Sequence, residues 1–316
     1  MTKQIARSIH RIPSLLLVAP VIAVYLLPLG PVRGETFDTC QPSPILHQSY
    51  DEQIISIETP DGRIEGTVAS PSSATPKALT LMLHGYTGAR NEIRGMYRRT
   101  AQAFAERGIA TLRIDFIGSG QSDGAWADTR FSTQARDAVR AAEALLKKYD
   151  ETLPVSVLGY SQGGLVALRA AASDDPFDRL ALWNPVMDPM ATYGIIFGEE
   201  TILEAAERHR LGESGDIIGE TRLRSGFFAE IATADPSADA ARSKAEILIV
   251  TGQRDPLVKN GAALAKRMAD TRSADTTILD LDAGHDLGAL QNTPLLDQVI
   301  ACTAGFLLSK GGGNPD

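Results

Sequence analysis

Ser161 stands in Gly159-Tyr160-Ser161-Gln162-Gly163, directly after the apolar run Val155-Ser156-Val157-Leu158 and before an Ala/Gly-rich stretch that reaches about Ala172. The Gly-x-Ser-x-Gly pattern alone is a weak signal. Between a strand and a helix it is strong, because the glycines let the chain double back and project the hydroxyl outward on a strained turn. The competing reading is an ordinary helix N-cap. A serine hydroxyl is a poor nucleophile without a base, so the chemistry expected here depends on a histidine that can take its proton.

The chain has five histidines. His10 and His47 precede the region of regular pattern, and His209 falls in a charged helical stretch. His84 ends an apolar strand in His84-Gly85-Tyr86-Thr87-Gly88 and is better read as a brace for that loop. His285 lies in Asp282-Ala283-Gly284-His285-Asp286, a turn after the last strand, and is the candidate general base and then acid. The order nucleophile, acid, histidine asks for a carboxylate after an intervening strand. Asp255, in Gly252-Gln253-Arg254-Asp255-Pro256-Leu257-Val258 after Ile247-Leu248-Ile249-Val250, fills that place. It would orient the imidazole and stabilise its charged form. Asp280 and Asp282 are rivals, but they are too near His285 in sequence to reach its ring easily. An oxyanion needs preorganised donors, and the backbone N–H groups of Gln162 and Tyr86 are the candidates, with Thr87 beside the latter.

The elements that must hold these residues alternate. Ile54–Ile57 and Ile64–Val68, joined by Thr59-Pro60-Asp61-Gly62, read as an antiparallel hairpin. Strands then follow at 79–83, 110–114, 155–158, 180–183, 247–250 and 277–279, with helices at 92–107, 132–149, after Ser161 and at 294–308. Such alternation indicates an α/β fold, a mostly parallel central sheet flanked by helices. The stretch from Asn184 to about Lys244 contains no clear strand and is too long for a plain connection, so it reads as a lid insertion.

The chain of 316 residues is 43% hydrophobic and 22% charged, with a formal net charge of −8. This is globular composition, and its acidity argues against nucleic acid as a partner. Lys3, Arg7 and Arg11 precede an apolar stretch from Ile12 to Leu29, and Val32-Arg33-Gly34 offers a cleavage point. The expectation is a signal peptide over 1–34 and one domain over 35–316, secreted or periplasmic, with an uncleaved membrane anchor as the alternative. Export would favour a disulfide between the two cysteines, Cys40 and Cys302. The Asp115–Gly124 loop is glycine-rich but lacks the lysine of a phosphate loop, and no zinc spacing occurs; no cofactor is expected.

Together, His84–Gly88, the run Arg113-Ile114-Asp115-Phe116-Ile117-Gly118-Ser119-Gly120-Gln121-Ser122-Asp123-Gly124, Gly159–Gly164, Gly252–Val258 and Gly284-His285 resemble α/β-hydrolase esterases of the cinnamoyl/feruloyl esterase group, close to the serine aminopeptidase and monoacylglycerol-lipase-like branch. The resemblance spans Leu79 to the C-terminus. It implies an α/β-hydrolase fold with a lid, a Ser161–Asp255–His285 triad, oxyanion amides at Tyr86 and Gln162, and a small-molecule ester substrate. Ile117, Ser119 and Tyr160 replace the Asn, His and His frequent in that group, which bears on acyl specificity more than on catalysis. Hydrolysis of amides on the same fold, and a non-catalytic binding protein, are the competing functions.

Overall fold

The computed structural model describes residues 32–35, 49–174, 177–213, 217–219, 222–291 and 293–309. A nine-stranded sheet runs through it in the order β1-β11-β10-β7-β6-β4-β5-β3-β2. Its strands are β1 (Val32–Glu35), β2 (Tyr50–Thr59), β3 (Gly62–Pro71), β4 (Ala78–Leu83), β5 (Ile109–Ile114), β6 (Val155–Tyr160), β7 (Arg179–Trp183), β10 (Glu246–Gly252) and β11 (Thr276–Leu281); β8 (Ile217–Ile218) and β9 (Leu223–Arg224) form a separate two-stranded ribbon. The β2–β3 hairpin is antiparallel and joins the rest through an antiparallel β3–β5 pair, whereas every pair from β5 to β1 is parallel.

Parallel strands need crossovers, and the helices that make them cover both faces of the sheet. Accordingly β4, β5, β6 and β7 are buried along their whole length. Helices α1 (Met96–Ala105) and α9 (Pro294–Leu308) share one apolar core with the sheet; α2 (Phe131–Lys148), α3 (Gln162–Asp174) and α8 (Gly261–Ala269) share the other.

One expectation is corrected and another is resolved into its parts. The helix expected from residue 92 begins at Met96. Glu92, Arg94 and Gly95 all have positive φ, so the chain passes through a single 3-10 turn before the α-helix can start. The segment expected as a lid, 184–244, falls into two parts by its packing. Its helices α4 (Pro189–Phe197), α5 (Glu199–Arg210) and α6 (Ser225–Thr233) pack on one another, but α7 (Pro236–Arg242) packs on α3 and α8 and belongs to the sheet's covering layer.

Residues 1–31 of the expected leader (1–34), and Cys40, lie outside the described residues. The expected cleavage sequence, Val32-Arg33-Gly34, lies wholly within β1, an outermost strand of the sheet. Cys302 is buried in α9 and is not a free thiol. No helix among the described residues is long and apolar enough to cross a membrane.

Candidate active site

The site forms at the carboxyl ends of β4, β6, β10 and β11, where ligands gather in open α/β sheets. At the end of β6, Ser161 adopts φ 53°, a left-handed conformation that is strained for any residue with a Cβ. The turn is possible only because its neighbours are glycine. A Cβ on Gly163 would lie 2.0 Å from the Leu83 carbonyl oxygen, and one on Gly159 would lie 2.4 Å from the Gly163 carbonyl oxygen. The Ser161 N–H donates to Trp183 O at 2.9 Å, and its carbonyl accepts from Gly164 and Val186. The turn is therefore locked to β7, with Ser161 largely shielded at 9% exposure.

His285 brings the other two residues to it. Its Nε2 is 3.0 Å from Ser161 Oγ and its Nδ1 is 2.6 Å from Asp255 Oδ2. Asp255 is itself fixed, because its Oδ1 accepts the N–H groups of Leu257 (2.8 Å) and Val258 (2.9 Å). A carboxylate with both oxygens bound in this way favours the tautomer that carries the proton on Nδ1, leaving Nε2 as acceptor for the serine hydroxyl. The rival carboxylates are engaged elsewhere: Asp280 accepts from Thr251 Oγ1 at 2.7 Å, and Asp282 pairs with Arg254.

Above Ser161, the turn from Gly85 to Gly88 closes through a Gly88 N–H to Gly85 O bond of 3.0 Å, which does not use the Tyr86 amide. Gln162 is the first residue of α3, where an N–H has no intrahelical acceptor. The two amides sequence reasoning singled out thus flank the serine without an internal partner in turn or helix. Beneath the turn, His84 acts as the brace it was expected to be. Its Nδ1 bonds Gly85 O at 2.9 Å and its Nε2 accepts the Phe116 N–H at 3.3 Å. Burial lowers its pKa, so it stays neutral. The Asp115–Gly124 loop is also structural: the Asp115 carboxylate accepts the N–H groups of Arg90 (2.7 Å) and Gln121 (3.0 Å) and pairs with the Arg90 guanidinium.

Three contributors escaped sequence reasoning. Asn184, buried at the end of β7, joins the loops that carry Asp255 and His285. Its Oδ1 accepts the Gly252 N–H at 2.7 Å, and its Nδ2 donates to Gly284 O (3.1 Å) and His285 O (2.9 Å). Its position after a core strand was the one signal available, since an amide carries no chemistry of its own. Tyr193, on lid helix α4, donates its hydroxyl to Gln162 Oε1, and Gln162 Nε2 donates to Gln134 Oε1 at 2.8 Å. Glu92 lines the cleft with Ser161 and His285.

The cleft measures about 560 Å³ and is walled by Tyr86, Tyr160, Val186, Tyr193, Ile196 and Leu257 around Ser161 and His285. The Tyr86 ring packs within 5.8 Å of both Tyr193 and Phe197 from the lid. Burial pushes the Tyr86 hydroxyl up to about 12 and raises those of Tyr160 and Tyr193 as well, so all three remain neutral. Among the described residues no cluster of His, Cys, Asp or Glu could hold a metal ion.

A serine on a strand-to-helix elbow, followed in chain order by an aspartate and a histidine on the same sheet rim, defines a class. The chain has the α/β-hydrolase fold. Within it, the family model described as serine aminopeptidase, S33, matches residues 74–215. Monoglyceride lipase of Rattus norvegicus is 35% identical over 117 residues, covering 36% of this chain and 37% of that protein. A monoglyceride lipase homolog of Monkeypox virus is 31% identical over 178 residues, covering 49% and 62%. The chain thus spans little more than a third of the length of the rat relative. Among solved structures, ferulic acid-bound Est1E from Butyrivibrio proteoclasticus superposes with a TM-score of 0.64 at 22% identity, over 80% of this chain and 98% of that one. An esterase of Pyrococcus furiosus gives 0.62 at 19% identity, over 87% and 97%. These likenesses extend the shared fold across nearly the whole of both neighbours.

Proposed function

We propose that this protein is a serine carboxylic-ester hydrolase acting on small esters with an aromatic or short-chain acyl group. The observation that carries this reading is the continuous hydrogen-bonded line Ser161–His285–Asp255, opening on an apolar, aromatic-walled cleft. Ser161 Oγ attacks the ester carbonyl carbon while His285 Nε2 takes the hydroxyl proton. The carbonyl oxygen gains a negative charge and is received by the Tyr86 and Gln162 amides. The intermediate collapses, the carbon–oxygen bond to the alcohol breaks, and His285 gives its proton to the departing alkoxide. Water then attacks the acyl-enzyme with His285 again as base. Collapse of the second intermediate frees the acid and returns the proton to Ser161. The similar proteins add support, since they include monoglyceride lipases and an esterase bound to ferulic acid.

The test is a panel of p-nitrophenyl esters of increasing chain length, with methyl ferulate, a monoacylglycerol and a matched amide beside them, on the wild type and Ser161→Ala. Turnover of the esters, and its loss in a variant with unchanged melting temperature, supports the reading. Faster turnover of the amide replaces it with a peptidase or amidase. Absence of both turnover and fluorophosphonate labelling at Ser161 leaves a binding protein on this fold.

Export through the N-terminal segment belongs to the same proposal, on the strength of the Lys3–Gly34 pattern and the pair Cys40 and Cys302. N-terminal sequencing of the mature protein tests cleavage. A mass shift that needs reduction before alkylation tests the disulfide; alkylation without reductant would exclude it.

A further inference from the structure

We propose that Glu92 is a positioning residue for the oxyanion loop, its carboxylate clamping the Gly85 amide so that the adjoining Tyr86 N–H faces the oxygen that becomes charged. This rests on the ester-hydrolase reading and concerns the same site.

Four observations carry it. The first is the bridge itself. Glu92 Oε1 accepts the Gly85 N–H, seven residues back along the chain, and Oε2 accepts the Ile93 N–H at 3.0 Å. One carboxylate therefore ties the start of the loop to its end, while Glu92 N–H donates to Ala89 O at 2.8 Å inside it. The amide plane that ends in Gly85 N is fixed, and the next plane along carries the Tyr86 N–H.

The second is backbone conformation. Glu92 has φ 57°, and Thr87 in the same loop has φ 58°. Non-glycine residues held there are strained, and the strain persists only where surrounding contacts over-determine it. The clamp is such a contact.

The third is location. Glu92 lines the cleft beside Ser161 and His285 instead of pointing to solvent. Desolvation raises its pKa; the Gly85 and Ile93 N–H groups oppose this first, and the charge of a protonated His285 adds to them. His285 gains its proton as the oxyanion forms, so the ionised clamp is favoured at the moment the Tyr86 amide is needed.

The fourth is the chemistry of the group. A carboxylate offers an acceptor to each of two N–H groups; a primary amide offers one acceptor and turns a donor toward the other. Glu92→Gln should therefore release one end of the loop while nearly conserving shape. Glu92→Asp keeps the charge but withdraws it by one methylene.

Removal of an oxyanion donor typically lowers kcat by about 10²- to 10³-fold. A misaimed donor is a partial loss, so the expected fall in kcat is about 10- to 100-fold, with KM within about twofold. The measurement is kcat per active site, titrated with a fluorophosphonate probe, together with the Ki of a boronic acid that forms a tetrahedral adduct on Ser161. Parallel losses in kcat and boronate affinity, at unchanged probe titre, support the clamp. A variant with wild-type kcat per titrated site and wild-type boronate affinity overturns it, even if its melting temperature falls. Failure of both variants to fold also overturns it, since the role would then lie in folding. A wild-type protein that neither hydrolyses esters nor takes the probe defeats the functional reading itself. Normal wild-type activity with indifferent variants defeats only the clamp.

Discussion

Asn184→Gly isolates what a buried amide contributes to a catalytic constellation. Asn184 holds φ 41°, which glycine adopts freely, so the substitution removes the side chain without adding backbone strain. Three hydrogen bonds to backbone are lost, those with Gly252 N–H, Gly284 O and His285 O. Each is worth about 1 kcal/mol net, and more if its buried partner is left unsatisfied, which gives a destabilisation of roughly 3 kcal/mol. For a protein of this size that is a fall in Tm of roughly 4–5 °C. The catalytic effect is separate. Gly252 begins the loop that carries Asp255, and Gly284 and His285 belong to the loop that carries the base. With the stitch gone, the Nε2–Oγ distance of 3.0 Å is no longer enforced from below. A misplacement near 1 Å costs about 10²-fold in rate, so kcat should fall by about 10- to 100-fold at temperatures where the variant is folded. Thermal melts followed by circular dichroism and initial rates on a p-nitrophenyl ester measure the two effects. Asn184→Asp is the informative companion: it keeps an acceptor for Gly252 but turns oxygens toward two carbonyls, so it should be at least as damaging. A glycine variant with kcat within twofold of wild type, measured well below its Tm, would refute the claim that Asn184 positions the two loops.

Asp255→Asn should leave the fold intact while lowering kcat by about 10⁴-fold. The Asn amide would face Nδ1 as a donor and force the proton onto Nε2, where it can no longer accept from Ser161. Activity within tenfold of wild type would show that another carboxylate serves. Asp137 makes a pH prediction. Burial raises its carboxyl from 3.8 to about 6, against the Ile117 N–H that favours the charged form. A folded-state pKa above the unfolded one means that its protonated form stabilises the protein at low pH. That contribution is lost as pH rises from about 4 through 6. Asp137→Asn, neutral throughout, should therefore be more stable than wild type at pH 7–8, by up to roughly 3 kcal/mol, and lose the advantage near pH 4. Parallel melts across this range decide it; an offset independent of pH would show that ionisation is not the cause.

Much of the architecture was legible because its signals are local. The apolar runs at β4 to β7 need no alternation, being buried on both faces. The elbow announces itself through Gly159 and Gly163, whose absent side chains are required by contacts under 3 Å. Where sequence reasoning fell short, the deciding contact was distant. The first turn of α1 was misplaced because Glu92, a residue with no general aversion to helix, takes positive φ beneath a loop it binds. Within the segment expected as a lid, α7 has the composition of any short surface helix; only its packing on α3 and α8 sets it apart from α4 to α6.

The sequence by itself determined the alternating α/β class and singled out the serine, histidine and aspartate that the structure brings into hydrogen-bonding contact, since residue type, order and flanking strands point to them. The tertiary structure decided which groups hold them. Asn184 joins the loop that starts at Gly252 to the distant one that holds Gly284, Tyr193 reaches from α4 to Gln162, and Glu92 closes the loop around Tyr86. The physical reason is that catalytic chemistry restricts residue type and so shows in sequence. Positioning asks only for a donor or acceptor at the right distance, and many residue types can supply one.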